Sequence, residues 1–244
     1  MNAFIVGAAS AALGLASIAQ AGQVQMHDAS GGLNGIEGTG GAFRVQVLNG
    51  FNGLTGGPGG SANSFSSFCL ERTETISFGN IYNTTISTSA INGGHSGGNP
   101  DPISEETAWL YRQFRDSAPI NGWIVDGAHN YGGGLGPSRL ASALQLAIWL
   151  SEGEILNTTT WDGLGDATTR TAAQQMYDAA ALATAQRSGD FYGVRVLRLY
   201  GIDGGNSQDQ LTIVPLPSAG WAGLSTLAGV GVVGYIRRRK LATM

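Results

Sequence analysis

The chain contains one cysteine, Cys69, and its thiol is the most nucleophilic side chain that the sequence offers. Cys69 lies in the run Phe-Cys-Leu-Glu of residues 68–71, near the end of a predicted strand. A single cysteine cannot form an internal disulfide. The thiol is therefore either a small buried apolar group or a reactive nucleophile.

A histidine partner would give Cys69 the chemistry of a hydrolase. His95 or His129 could act as the base, and Asp126 lies close enough in sequence to orient His129. Neither histidine belongs to a recognisable catalytic motif, and His95 lies in a glycine-rich stretch over residues 93–98. A secreted cysteine hydrolase therefore ranks behind the covalent and passive adhesion hypotheses developed below. We expect that the protein is not an enzyme and has no catalytic residues.

A second pattern involves Gln145. The step Phe68-Cys69 is followed about 75 residues later by residues 144–149, Leu-Gln-Leu-Ala-Ile-Trp, in which Trp149 follows Gln145 by four positions. This pair of steps resembles the thioester domains of bacterial surface adhesins. The resemblance implies that the Cys69 thiol attacks the Gln145 amide, expels ammonia and leaves an internal thioester that can acylate a nucleophile on another surface.

Such a bond has physical requirements that the sequence can be tested against. A thioester survives only where water is excluded, and Phe68 and Trp149, with Trp109 or Trp123, could provide that shield. An internal amine would consume the bond, but no lysine precedes Lys240. The absence of lysine supports the hypothesis, although a coding bias from Lys to Arg explains it as well.

The elements that would position these residues can be read from hydrophobic periodicity and turn signals. The pattern predicts an α+β, β-rich ectodomain with a helical insertion, after a flexible glycine-rich start over residues 31–41. Ser104 and Ser138 are the expected N-caps of the first two helices. We predict strands over residues 42–48, 64–71, 73–78, 81–91, 192–199 and 208–214, and helices over residues 103–116, 138–152 and 171–187.

The end of the chain carries a membrane signal. Residues 218–236 contain no charged side chain and would form about 28 Å of helix, close to the thickness of a bilayer core. The cations that follow should stay in the cytoplasm, with residues before 218 outside. We therefore predict a transmembrane helix over 218–236 and a basic cytoplasmic tail over 237–244.

The order of these parts resembles the PEP-CTERM sorting signal of bacterial surface and matrix proteins. A proline motif precedes the apolar span, and an arginine cluster follows it. The resemblance implies recognition by an exosortase-type membrane peptidase. The residues that carry it are Val214, Pro215, Leu216, Pro217, Arg237, Arg238 and Arg239.

The beginning of the chain agrees with export. Residues 4–18 are apolar but short for a membrane span, and Ala19-Gln20-Ala21 matches the small-residue site that signal peptidase cuts. No Lys or Arg precedes the apolar stretch, so a short core strand is the alternative. The expected organisation is a signal peptide over 1–21, an extracellular domain over 22–213 and a sorting signal over 214–244.

Charge narrows the possible partners. All 17 acidic residues and nine of the arginines precede residue 214, so the exported part has a net charge of 9 − 17 = −8. An acidic domain argues against nucleic-acid binding. The aspartates show no calcium-loop spacing, so we expect no metal and no cofactor. We predict a surface or matrix protein that attaches to a target not identified by the sequence, either covalently or as a passive adhesive module.

Overall fold

The computed structural model describes residues 21–36, 39–51, 54, 56–93, 98–155, 158–186, 189 and 191–214. The strands are β1 (Ala21–Asp28), β2 (Phe43–Asn49), β3 (Ser64–Ser67), β4 (Ile81–Ser87), β5 (Ser89–Ala90), β6 (Asp101–Pro102), β7 (Val194–Tyr200) and β8 (Asn206–Ile213). The helices are α1 (Glu105–Arg115), α2 (Pro137–Ser151), α3 (Thr158–Asp162) and α4 (Ala167–Thr184). The expected fold class, β-rich α+β with helices inserted between strands, is confirmed for this part of the chain.

Six strands form one antiparallel sheet in the order β3-β2-β1-β4-β7-β8. The two ends of this order meet, because the chain that continues β3 pairs with β8. Leu211 N–H donates to the Phe68 carbonyl, Leu70 N–H donates to the Asp209 carbonyl, and Cys69 lies opposite Gln210. The sheet therefore closes on itself along a seam, formed by residues 67–70 and 209–211.

Two apolar clusters follow from the alternation of side chains along the strands. In β7, Val194 and Val196 join the cluster under the helices, whereas Leu197 and Leu199 join a cluster of strand side chains on the opposite, inner face. Phe51 and Leu54 complete the inner cluster. The closed sheet is thus packed on both faces.

Helices α1, α2 and α4 form a layer against the outer face, in which each helix packs on the other two. Pro137 in the first turn of α2 suits a helix start. Proline has no N–H to donate, and an N–H at this position would have no acceptor within the helix. Side chains all round α2 are buried, from Leu140 to Trp149. On a helix that is buried on every side, a polar side chain costs free energy unless it is hydrogen-bonded. Gln145 is one of the polar residues on this helix.

Several sequence predictions were wrong in their boundaries. Residues 73–78 are not a strand, and no strand was predicted where β1 lies. Helix α4 begins at Ala167 because Asp166 caps it, accepting from Thr169 N–H. Ser104 caps α1 as expected, but α2 is capped by Gly136, and Ser138 instead donates to the Gly32 carbonyl.

The glycine-rich start was also misjudged, because it packs on α2. Leu33 and Thr39 are fully buried, and Thr39 Oγ1 donates to Ser142 Oγ at 2.8 Å. Ser142 in turn donates to the Gly40 carbonyl at 2.8 Å. The described residues of the segment 33–42, which are 33–36 and 39–42, therefore form a cover on α2.

The terminal signals lie outside the described residues, apart from Ala21 and Val214. These are Ala19, the proline motif at Pro215, Leu216 and Pro217, the apolar span over 218–236, and Arg237, Arg238 and Arg239. Among the residues that the structure describes, no helix is long and apolar enough to cross a membrane.

Candidate functional site: the Cys69 and Gln145 pair

Cys69 lies in the seam, where the chain leaves β3 and turns towards α2. Its side chain is 1% exposed, and the neighbouring Phe68 is fully buried. The Phe68 ring meets the edge of Phe114 from α1, with ring centroids 4.9 Å apart. The apolar run of residues 68–70 therefore places the thiol beneath the helical layer.

Gln145 reaches the same place from the middle of α2, and it is fully buried. Its amide makes three hydrogen bonds to Cys69. The thiol donates to Gln145 Oε1 at 3.2 Å, the Cys69 N–H donates to the same oxygen at 3.1 Å, and Gln145 Nε2 donates to the Cys69 carbonyl at 2.9 Å. The structure thus brings together the two residues that the sequence pattern paired.

These bonds also fix the orientation of the amide. The nitrogen faces the Cys69 carbonyl, so the amide oxygen must face the sulfur and the Cys69 N–H. A backbone N–H that already donates to a carbonyl oxygen is suited to stabilise the negative charge that develops there when a nucleophile adds. The thiol and the Gln145 amide are therefore held within hydrogen-bond distance of each other.

The thiol is protonated at rest. Burial raises the pKa of the Cys69 thiol well above its usual range, and the charge of Glu71 raises it further. The nearby N–H groups of Cys69 and Trp149 act in the opposite direction and lower the pKa, and the charge of Glu154 makes a further small contribution that raises it. A nucleophilic step at this site must therefore move the thiol proton as the sulfur reacts.

Both of the expected shielding residues are buried. Phe68 is fully buried and Trp149 is 5% exposed. The backbone at Gly40 also lies against the site, where an added Cβ would meet Gln145 Cγ at 3.3 Å and the Trp149 ring at 3.6 Å. Trp123 has other contacts, since its indole N–H donates to Gln175 at 3.0 Å and its ring meets Tyr131, and Trp109 is partly buried against the helical core cluster.

Sequence reasoning missed a group of buried carboxylates beside the seam. Glu71 Oε2 accepts from Asp209 N–H at 3.0 Å, and Asp209 accepts from Ile91 and Leu199 N–H groups at 2.7 and 3.2 Å. Burial, followed by the charges of Asp209 and Glu74, raises the pKa of Glu71. Burial also raises the pKa of Asp209, although its two backbone bonds act against this.

The residues of the hydrolase alternative are placed elsewhere or lie outside the described part. His129 Nδ1 bonds to Asp126 Oδ2 at 2.8 Å on the surface, and the same aspartate accepts from the backbone N–H of Ala128. No described contact joins His129 to Cys69, and His95 lies outside the described residues. Within the described chain, the thiol donates its hydrogen bond to Gln145.

Two of the aspartates that lie among glycines act as cap and turn residues. Asp166 caps α4, and Asp203 accepts from Gly205 N–H in a turn. Within the described ranges, no group of three or more His, Cys, Asp or Glu side chains could hold a metal ion.

The chain was compared with known proteins. No family model matches it, and no curated protein matches it. Among solved structures, it is similar to the N-terminal thioester domain of the fibronectin-binding protein SfbI from Streptococcus pyogenes, with 13% sequence identity and a TM-score of 0.42. The similarity covers 80% of this chain and 95% of that domain.

Proposed function

We propose that this chain is an exported surface or matrix protein whose domain forms an internal thioester between Cys69 and Gln145. The observation that carries the proposal is the set of three hydrogen bonds that holds the buried Gln145 amide against the Cys69 thiol and N–H. A fully buried glutamine whose amide oxygen faces a thiol supports intramolecular acyl transfer, because the two reacting groups are already close together.

The reaction balances within the pair. The sulfur adds to the Gln145 amide carbon, the carbon–nitrogen bond breaks, and the thiol proton departs with the nitrogen as ammonia. A primary amine on a partner surface can then attack the same carbon. That step forms an amide to the partner and returns the thiol, so the domain would become covalently attached.

The chain around the pair suits such a bond. The burial of Phe68 and Trp149 keeps water away, and the absence of lysine before Lys240 leaves no side-chain amine in the domain to consume it. We place the domain outside the cell because of the predicted signal peptide and the sorting signal, which would engage signal peptidase and an exosortase-type peptidase. The partner surface is proposed by its chemistry alone, as one that presents primary amines.

A passive adhesive module is the second candidate. The observation in its favour is the burial of the thiol, which raises the thiol pKa and makes the resting sulfur a poor nucleophile. In that case the Cys69–Gln145 contact would be a satisfied buried hydrogen-bond pair, and attachment would depend on surface contacts.

Intact mass spectrometry of the exported protein separates the two candidates. If the thioester forms, the mass is lower than the sequence mass by one ammonia, and methylamine adds its full mass back across the bond. The Cys69→Ala variant should show neither change. The same spectrum reports processing, since signal cleavage would leave a chain that begins at Gly22. An unmodified mass with a titratable thiol would rule out the covalent function.

A further inference from the structure

One donor beside the site has no role in the resting contacts. The Trp149 indole N–H is buried and has no hydrogen-bond partner. An indole nitrogen can only donate, and a buried donor without an acceptor costs free energy. Trp149 lies one helical turn after Gln145 in α2, so both side chains leave the same face of the helix.

The acceptor that is relevant to this donor during the reaction is the Cys69 sulfur. The Trp149 indole N–H lowers the pKa of the Cys69 thiol and so favours its charged form, although burial outweighs this effect. In the resting state the sulfur carries a proton, which it directs to Gln145 Oε1 at 3.2 Å. A protonated sulfur is a weak acceptor, whereas a thiolate is a strong one.

We propose that Trp149 is a catalytic residue of the thioester reaction, whose indole N–H donates to the Cys69 sulfur whenever that sulfur carries negative charge. This inference rests on the proposed thioester. The charge appears twice: first on the attacking sulfur, before ammonia leaves Gln145, and again on the departing sulfur, when an amine takes the acyl group.

Two N–H donors stabilise the negative charge that develops on the amide oxygen and on the sulfur. The Cys69 N–H donates to the amide oxygen, as it already does in the resting state at 3.1 Å. The Trp149 N–H donates to the sulfur when the sulfur is charged. Because the interaction is weak with a thiol and strong with a thiolate, it favours the reacting state over the resting state, which is the requirement for catalysis.

The test replaces Trp149 by Phe, which keeps an aromatic shield and removes the N–H. In the full chain, methylamine opening followed by mass spectrometry should be about ten- to a hundredfold slower than in the wild type, as expected for loss of one hydrogen bond to a charged group. Trp123→Phe is the matched control. It also removes a partly buried indole N–H, here bonded to Gln175, and it should open at the wild-type rate.

A second measurement distinguishes chemistry from packing. After methylamine opening, the free thiol is alkylated over a range of pH. In Trp149→Phe the alkylation midpoint should move to higher pH, because the thiolate has lost a donor, whereas a loss of packing alone would not move it in a folded protein. If Trp149→Phe does not fold, a benzothienyl side chain at position 149 keeps the shape of the indole and removes only the N–H.

The outcomes are separable. Wild-type protein without the ammonia loss would overturn the proposed function, and this inference with it. A wild-type protein that forms the thioester, together with a Trp149→Phe protein of unchanged opening rate and unchanged alkylation profile, would overturn the role of Trp149 alone. A slower rate without a shift in the profile would also overturn it, because Trp149 would then act only through packing.

Discussion

At the residue scale, the sequence pattern predicted which two side chains should meet, but it did not predict the charges around them. Cys69 and Gln145 could be paired because their neighbours carry a recognisable order of residue types. The buried carboxylates beside them could not be predicted from the sequence, because Glu71 and Asp209 are far apart in the chain and acidic residues are ordinarily expected at the surface. Only the seam, which sets residues 67–70 against 209–211, brings those carboxyl groups together.

The buried Glu71 gives the domain a pH dependence. Its pKa is raised in the folded state by burial, then by Asp209 and Glu74, while in the unfolded chain it titrates near pH 4.5. From that pH up to the raised folded pKa, the folded state holds a proton that the unfolded state has released. The free energy of unfolding therefore falls as pH rises, by about 1.4 kcal/mol per pH unit for one such proton.

The variant Glu71→Gln should flatten this decline. Its amide oxygen can still accept from Asp209 N–H, and it no longer titrates. Urea unfolding at pH 5, 6, 7 and 8 measures the slope, and a residual slope from Asp209 is expected because its pKa is raised as well. Asp178→Asn, which changes an exposed carboxyl on α4, is the control and should leave the slope unchanged. Equal slopes for Glu71→Gln and wild type would contradict the prediction.

At the element scale, α1, α2 and α4 were predictable because each repeats apolar residues at helical spacing, but their starts depended on long-range contacts. The short α3 was missed because it has no buried residue to give such a repeat. Ser104 and Ser138 look alike in sequence, as a serine that precedes a periodic apolar run. In the structure, only Ser104 is a cap, and the C-terminal end of α2 supports it: Ser104 Oγ donates to Glu152 Oε1 at 2.8 Å. The true start of α2 is set by Gly136 and Pro137.

This difference predicts unequal costs for two similar substitutions. Ser104→Ala removes the bond from Thr107 N–H at the helix start and the bond to the buried Glu152, so it should lower the free energy of unfolding by about 1–3 kcal/mol. Ser138→Ala removes one surface bond to the Gly32 carbonyl and should cost about 0.5 kcal/mol. Chemical denaturation of both variants measures the difference, and equal costs would contradict the assigned cap.

At the scale of the whole molecule, the closed sheet explains why the site needs the complete domain. The seam joins the region after β3 to the last strand, and α2 comes from the insertion between them. Fold class could be predicted from the alternation of strands and helices. Closure could not, because pairing of residues 67–70 with 209–211 depends on contacts across most of the chain. The cover over residues 33–42 was missed for the same reason: its glycines indicate turns, while its packing on α2 is tertiary.

The proposed thioester would also stabilise this fold as a covalent crosslink. It would join the seam to α2 across 145 − 69 = 76 positions, and a crosslink that closes a loop of this size stabilises a domain by about 4–5 kcal/mol through the entropy of the unfolded chain. Opening by methylamine should then lower Tm by roughly 10 °C for a domain of this length. The added methyl group, in a fully buried site, acts in the same direction.

Calorimetry before and after methylamine treatment measures this shift, and mass spectrometry of the same samples confirms that the bond was present and then opened. Cys69→Ala exposed to methylamine under the same conditions should keep its Tm, because it has no bond to open. A treated wild-type protein that gains the mass of methylamine and keeps its Tm would show that the link does not brace the fold. In that case the three hydrogen bonds between Cys69 and Gln145 would already hold α2 against the seam, and the bond would serve attachment alone.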